Sequence, residues 1–168
     1  MNGDPFTRYV TTGYLFYQMV FPRAFQTYIP RSHCVDSHVY GAVLLTPEGE
    51  TVVIRGRKSG KWSFPKGHGS NYETPLLACL RELKEETGIQ IKSLPDDELR
   101  FNFGTYFVFY VKEKLELKPE DTKEVMDSMW IPILRLSSLV GNKDLKSFVR
   151  YINTSRILYR AKDMMVSV

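Results

Sequence analysis

The stretch KGHGSNYETPLLACLRELKEETGI, at residues 66–89, carries a helix signal with well-marked ends. Thr74 is a favourable N-cap, and Pro75 suits the first helical position because its missing N–H would have no partner there. Gly88 marks the end, since glycine adopts the left-handed conformation that commonly closes a helix. The pattern therefore predicts one helix between Thr74 and Gly88.

The two sides of this predicted helix differ in chemistry, because each residue turns the chain by about 100°. Three leucines share the side that can pack on a sheet: Leu76, Leu80 and Leu83. Three glutamates share another side as i, i+3 and i+4 neighbours: Glu82, Glu85 and Glu86. Arg81, four residues before Glu85, can offset only part of their mutual repulsion.

Two interpretations of the acidic side follow from the helix alone. One is a solvated acidic face, a common fate of a glutamate-rich helix. The other is a site for a hard divalent cation, since Mg²⁺ takes oxygen ligands and usually combines a few carboxylates with waters and substrate phosphates. A rigid helix fixes the ligand spacing, and the preceding loop can add a backbone carbonyl.

The spacing of the whole stretch resembles the signature of the Nudix hydrolases. Gly67 is followed after five residues by Glu73, and after seven more by RELKEETGI, which ends at Ile89. Every fixed position of that signature is filled. The resemblance implies an α/β/α sandwich around a mixed sheet. It also implies metal-dependent hydrolysis of the pyrophosphate in a nucleoside diphosphate linked to another group.

The resemblance also implies roles for individual residues. Ligands of Mg²⁺ or Mn²⁺ would be the Gly67 carbonyl and the three glutamates Glu82, Glu85 and Glu86. Structural positions of the motif would be Glu73, Arg81 and Gly88. The candidate catalytic residues are Glu82, Glu85 and, on a later loop, Glu124. Rivals of Glu124 on the same stretch are Glu120, Asp121 and Asp127.

The residues before the motif bear on the substrate. WSFPKG at 62–67 resembles the corresponding segment of mRNA decapping enzymes, and PKGH is similar to diadenosine tetraphosphate hydrolases. The decapping resemblance places Lys66 beside the scissile phosphates. Candidate substrate contacts are Arg57, Trp62, Lys66 and Trp130. Trp62 and Phe64 are equally interpretable as core residues or as base-stacking groups, and Trp130 or an N-terminal tyrosine could stack on a purine.

Composition sets the frame for these motifs. The chain has 168 residues, a net charge of +4 and two cysteines. These values predict one globular domain over 1–168 and a reducing compartment, the cytoplasm or alternatively the nucleus. Residues 1–32, rich in aromatic residues and prolines, are expected to form an irregular extension packed on the domain. No segment has the length and apolar character of a membrane span.

The order of patterns along the chain predicts the α+β class, with helices packed on a mixed sheet. HVYGAVLL (38–45) and TVVIRG (51–56) are interpreted as a hairpin. IQIKSL (89–94), RFNFGTYFVFYVKEK (100–114) and VMDSMWIPI (125–133) are interpreted as strands. A basic helix over 142–163 closes the chain and offers a surface for an RNA backbone.

Three functional hypotheses remain from the sequence. The first is hydrolysis of the cap pyrophosphate on RNA, with capped RNA as the partner. The second is the same chemistry on small substrates, namely dinucleoside polyphosphates, nucleoside triphosphates or inositol pyrophosphates. The third is an inactive Nudix-fold module that only binds nucleotide, which loss of a motif carboxylate would favour; none is lost.

Overall fold

A computed structural model describes residues 38–101 and 103–154, without the side chains of 151–154. These residues contain seven strands: β1 (Val39–Leu45), β2 (Glu50–Gly56), β3 (Trp62–Ser63), β4 (Lys66–His68), β5 (Asp97–Arg100), β6 (Thr105–Tyr110) and β7 (Val125–Pro132). The helices are α1 (Pro75–Thr87), a 3₁₀ helix (Ile133–Ser138) and α2 (Lys143–Thr154). The extension at 1–32 and the final part of the closing helix lie outside the described residues.

The strands divide between two sheets. The four-stranded sheet has the order β4-β1-β6-β5, with β1 parallel to β6 and the outer pairs antiparallel. The three-stranded sheet has the order β3-β2-β7 and is antiparallel. The predicted α+β class with helices flanking mixed sheets is confirmed.

The four-stranded sheet lies between helices because the side chains of its inner strands alternate between two apolar faces. From β1, Ala42 and Leu44 join the cluster that contains Leu83 of α1. Val43 and Leu45 join the opposite cluster, which contains residues of the 3₁₀ helix and of α2. α1 is thereby held against one face of the sheet, while α2 covers the other.

The ends of α1 are those that the sequence predicts. The Thr74 Oγ1 accepts a hydrogen bond from the Leu77 amide at 3.3 Å, and Pro75 begins the helix. Gly88 ends it with φ of 77°, and its amide donates to the Lys84 carbonyl at 2.7 Å. A Cβ at Gly88 would overlap the Lys118 carbonyl oxygen. Both the backbone conformation and the space therefore require glycine.

Gly88→Ala is expected to lower the free energy of unfolding by about 1–3 kcal/mol, since it adds a left-handed alanine and a clash. Urea denaturation measures the loss. Gly60→Ala is the matched control, because Gly60 also has a positive φ of 64° but open space around it. Equal losses for the two variants would show that the contact with Lys118 is of no consequence.

Three expectations about strands are wrong. The turn between β1 and β2 is tight, with the Gly49 amide donating to Thr46 at 3.0 Å, but the strands pair in different sheets and form no hairpin. IQIKSL is not a strand, because Ile89 packs into a core directly after the helix and Leu94 is exposed. The proposed long strand is split, since Arg100 ends β5 and β6 begins only at Thr105, where it pairs antiparallel with β5.

The predicted strands at 100–114 and 125–133 contain β6 and β7. Tyr106, Phe107, Val108 and Phe109 are all buried, so β6 is apolar on both faces and lies inside its sheet. β7 ends at Pro132, one residue before the end of the predicted strand. Within the described part of the chain, no helix is long and apolar enough to cross a membrane.

Candidate active site

The site is built where β4 meets α1. β4 is an edge strand whose Gly67 pairs with Tyr40 of β1, and the Lys66 amide donates to the Glu86 Oε2 at 2.7 Å. This bond fixes the start of β4 against the last turn of the helix. Gly67 lies so close to Glu82 that a Cβ at this position would overlap the Glu82 carboxyl group. The strand backbone and two of the motif glutamates are therefore in direct contact.

Arg81 is the cation among the carboxylates. Its guanidinium contacts Glu73 at 2.9 and 3.2 Å, Glu82 at 2.7 Å and Glu85 at 3.1 Å. It also donates to the His68 carbonyl at 2.9 Å, which ties β4 to the helix. The Ser70 amide donates to Glu73 at 2.9 Å. Glu73 and Arg81 thus have the loop-to-helix contacts that a structural role requires.

The pKa values of the acidic groups are shifted in different directions. The Arg81 hydrogen bond holds the pKa of Glu73 down to about 2. Burial raises the pKa of Glu86 to about 8, against the lowering effect of its bond from the Lys66 amide. Burial also raises the pKa of Glu82, with Arg81 opposing. The charge of Glu124 adds a smaller contribution to the rise in pKa at both Glu82 and Glu86.

A cleft of about 750 Å³ opens beside this cluster. From the motif, Gly67 and Glu86 line the cleft, and Glu124 lines it from the loop before β7. Five cationic side chains line the same cleft: Arg57, Lys58, Lys61, Lys66 and Lys123. The cleft therefore presents carboxylates and cations together, which suits a ligand that carries phosphates and an associated metal ion.

The loop that carries Glu124 is positioned by the end of α1. The amides of Glu120 and Asp121 both donate to the Glu85 carbonyl, at 2.9 and 2.8 Å. Asp121 Oδ1 in turn accepts from the Glu124 amide at 3.0 Å. Of the four acidic candidates on this stretch, Glu124 alone is among the residues lining the cleft. The others are Glu120, Asp121 and Asp127.

The two tryptophans predicted as substrate contacts, Trp62 and Trp130, are not among the residues that line this cleft. Trp62 packs against the core cluster that contains Phe64, and Trp130 packs against the cluster beside α1. The Trp130 Nε1 donates to the Leu115 carbonyl at 2.9 Å. Both indoles thus have packing partners inside the fold, and their contact with a substrate stays a prediction.

Sequence reasoning missed several residues of the cleft. Lys58 and Lys61 belong to a loop whose basic character was visible in the sequence, and that signal was sufficient to propose them. Lys123 and Asn142 carry no such signal. Asn142 reaches the cleft because its amide donates to the Trp62 carbonyl at 2.8 Å, which docks the start of α2 on β3.

The proposed donors, three carboxyl groups and one backbone carbonyl, fit a hard divalent cation. The close approach of Gly67 to Glu82 brings the strand that carries this carbonyl next to the helix. In 38–101 and 103–154, no three acidic, His or Cys side chains converge as a ready-made metal site. Arg81 holds Glu82 and Glu85, so both must turn from it to serve as ligands.

The fold and the geometry of the glutamate-bearing helix beside β4 are those of one known family. The chain belongs to the NUDIX domain family, whose model matches residues 37–152. Family members generally use divalent metal ions.

Relatives and solved structures agree with that assignment. An m7GpppN-mRNA hydrolase of Caenorhabditis elegans, dcap-2, is 34% identical over 104 residues, covering 56% of this chain and 13% of that protein. The m7GpppN-mRNA hydrolase of Saccharomyces cerevisiae is 25% identical over 119 residues, covering 66% and 12%. The chain thus matches only a small part of these relatives. A C. elegans Ap4A hydrolase structure shares the fold, with a TM-score of 0.55, 16% identity and coverage of 68% and 93%.

Proposed function

We propose that this chain is a metal-dependent pyrophosphohydrolase that cleaves the pyrophosphate of the cap at the 5′ end of RNA. The observation that carries the proposal is the composition of the cleft. Gly67, Glu86 and Glu124 line it together with five cationic side chains. Similarity to m7GpppN-mRNA hydrolases over 104 and 119 residues supports the choice of capped RNA.

The residues proposed to hold Mg²⁺ or Mn²⁺ are the Gly67 carbonyl, Glu82, Glu85 and Glu86. When bound, such an ion neutralises phosphate charge and lowers the pKa of a coordinated water. Attack of water on phosphorus forms one P–O bond and breaks the anhydride P–O bond, which leaves methylated GDP and RNA with a 5′-monophosphate. A carboxylate must accept the proton of the attacking water.

Glu85 and Glu124 are the two candidates for that proton acceptor. Glu85 is partly exposed, with 42% of its side chain accessible, and its recorded side-chain contact is with Arg81. Glu124 is exposed and lines the cleft directly. Glu124 therefore faces the cleft directly, whereas Glu85 is not among the residues that line it and would have to turn from Arg81 to reach a water beside the phosphates.

Lys66 is proposed to stabilise the negative charge that develops on the phosphates. It lies in the cleft next to Glu86, and its backbone is fixed by the bond to that glutamate. A cation held in place acts most strongly where charge increases, in the transition state. This predicts an effect on the chemical step larger than the effect on binding.

Lys66→Ala is expected to lower kcat about 10- to 100-fold while KM changes less than about threefold. Steady-state kinetics on cap-labelled RNA separates the two constants. Lys66→Arg is the matched control, because it retains the positive charge and should retain most of the rate. A pure rise in KM for the alanine variant would refute the transition-state role.

The substrate assignment is tested by offering three phosphate anhydrides to the same preparation with Mg²⁺ or Mn²⁺. These are cap-labelled RNA, RNA with a 5′-triphosphate, and diadenosine tetraphosphate, with the products separated by chromatography. The proposal requires capped RNA to give the highest kcat/KM, with methylated GDP as the product. A preference for diadenosine tetraphosphate would support the small-substrate alternative instead.

A further inference from the structure

Glu124 differs from the glutamates of α1 in how its side chain is held. Glu85 pairs with Arg81 at 3.1 Å, and Glu86 accepts a hydrogen bond from the Lys66 amide at 2.7 Å. Within 38–101 and 103–154, no group donates a hydrogen bond to the Glu124 carboxylate or forms an ion pair with it. The place of this carboxylate in the cleft therefore depends on the backbone that carries it.

Arg57 binds that backbone on both sides of Glu124. The Arg57 amide donates to the Glu124 carbonyl at 2.7 Å. The Arg57 guanidinium donates from Nε to the Thr122 carbonyl at 3.1 Å and from Nη2 to the Val125 carbonyl at 3.3 Å. One side chain thus holds the segment before and after the glutamate. A guanidinium can do so because it presents its donors in a rigid planar fork, which a lysine ammonium lacks.

The two segments meet where the pairing of β2 and β7 is irregular. Arg55 of β2 pairs with Asp127 of β7. The next pair is Gly56 with Val125, so β7 has one extra residue between the two pairs. A β-bulge of this kind interrupts the ladder and often re-aims side chains next to an active site. Beyond the bulge, the bonds of Arg57 continue the contact between the two segments.

The segment that carries Glu124 is itself a compact turn. The Asp121 Oδ1 accepts hydrogen bonds from the amides of Lys123 and Glu124 at 2.9 and 3.0 Å. The Val125 amide donates to the Asp121 carbonyl at 3.0 Å. Because these bonds join the residues of 121–125 to one another, a shift of the carbonyls bound by Arg57 would also shift Glu124.

We propose that Arg57 is a positioning residue, which acts through Glu124 by holding the carbonyls on either side of it. The inference rests on the proposed function, with Glu124 as the acceptor of the proton from the attacking water. A displacement of about 1 Å can cost about a hundredfold in rate, so a small shift of this turn is sufficient to slow the reaction. The bonds of Arg57 thereby affect the chemical step.

A direct contact between Arg57 and the phosphates, the role predicted from the sequence, has different consequences. Lysine could replace a cation that only binds phosphates, and loss of that cation would mainly raise KM. Lysine cannot reproduce the forked contact with two carbonyls. Loss of a positioning residue would lower kcat and leave KM nearly unchanged.

A double-mutant cycle on kcat tests the proposal, with the full chain, cap-labelled RNA and Mg²⁺ or Mn²⁺. Glu124→Gln is expected to lower kcat about a hundredfold. Arg57→Ala and Arg57→Lys should each lower kcat at least about tenfold, with KM changed less than about twofold. In the Glu124→Gln background, Arg57→Ala should change kcat less than about twofold, because no proton acceptor remains to be positioned.

Arg55→Ala is the matched control. Arg55 is likewise exposed and its Nε donates to a backbone carbonyl, that of Gly60, at 3.1 Å. It does not line the cleft and should keep the wild-type kcat and KM. Unfolding curves in urea check the fold of every variant. A general structural effect of Arg57→Ala would lower kcat by the same factor with and without Glu124.

Four outcomes would overturn the inference while methylated GDP is still released, and so leave the proposed function intact. They are wild-type kcat in Glu124→Gln, wild-type kcat in Arg57→Lys, a pure rise in KM in Arg57→Ala, and equal losses from Arg57→Ala in the two backgrounds.

Hydrolysis of diadenosine tetraphosphate without release of methylated GDP from capped RNA would refute the proposed function alone. The same cycle on diadenosine tetraphosphate then decides the inference: a loss confined to the background with Glu124 supports it, and equal losses overturn it. Failure of the wild-type chain to hydrolyse capped RNA, RNA with a 5′-triphosphate and diadenosine tetraphosphate would overturn both.

Discussion

Glu85→Gln is expected to lower kcat for cap-labelled RNA by at least about a thousandfold. The variant removes a negative charge from the cluster of ligands proposed for the metal ion and also removes one candidate proton acceptor. The fold should survive, because the Glu85 side chain is partly exposed and pairs with Arg81 at 3.1 Å on the surface of the helix. Rates by product chromatography and unfolding curves in urea measure the two effects.

Glu120→Gln is the matched control for that variant. Glu120 belongs to the loop that caps α1, is exposed, and pairs with Lys84 at 3.7 Å, a weak surface contact. It should keep the wild-type rate, since it is neither a proposed ligand of the metal ion nor a candidate proton acceptor. If Glu85→Gln also retained the wild-type rate, the role assigned to the acidic side of α1 would be wrong.

Gly67→Ala is expected to produce the second large loss, of about a hundredfold or more in kcat. The added Cβ would occupy the place of the Glu82 carboxyl group, and that group can turn aside because it ends a flexible side chain. The variant should therefore keep its fold and lose the juxtaposition of the Gly67 carbonyl and Glu82. Titration with Mn²⁺ by calorimetry should show weaker binding.

Gly56→Ala is the appropriate control for that substitution. Gly56 lines the same cleft, but the nearest atom to its added Cβ would be the Ser59 Oγ at 3.1 Å. No proposed ligand of the metal ion is displaced, so rate and Mn²⁺ affinity should stay close to the wild-type values. Wild-type Mn²⁺ affinity in Gly67→Ala would contradict the proposed contribution of that strand to the metal site.

The parts of the site that were predictable are those encoded within one local segment. Helix α1 and its ends follow from Thr74, Pro75 and Gly88, whose preferences depend on the adjacent backbone. The acidic side follows from helical periodicity, which brings Glu82, Glu85 and Glu86 together without any information about the rest of the fold. Local rules were therefore sufficient for the motif.

The parts that were not predictable depend on contacts between distant segments. Lys123 reaches the cleft because amides of its loop cap the Glu85 carbonyl and because Arg57 binds the carbonyls beside it. β1 and β2 are joined by a turn that would suit a hairpin, yet β2 finds its partners in β3 and β7. Strand pairing of this kind is set by tertiary packing, which periodicity does not reveal.

The same distinction explains the errors after α1. IQIKSL has strand-like alternation, but Ile89 and Ile91 obtain their burial by packing against the cluster beside the helix. The sheet is instead extended by β5 at Asp97–Arg100, which pairs antiparallel with β6. An alternating apolar pattern indicates which residues need burial. It does not indicate which segment those residues pack against.

The most direct test of the central claim uses wild-type protein stripped of metal with a chelator and then incubated with cap-labelled RNA. The predicted result is release of methylated GDP on addition of Mg²⁺ or Mn²⁺, none without the ion, and a loss of at least about a thousandfold in Glu85→Gln. Intact RNA in the presence of the metal would contradict decapping. Equal release with and without metal, or from both proteins, would contradict the role of the glutamates.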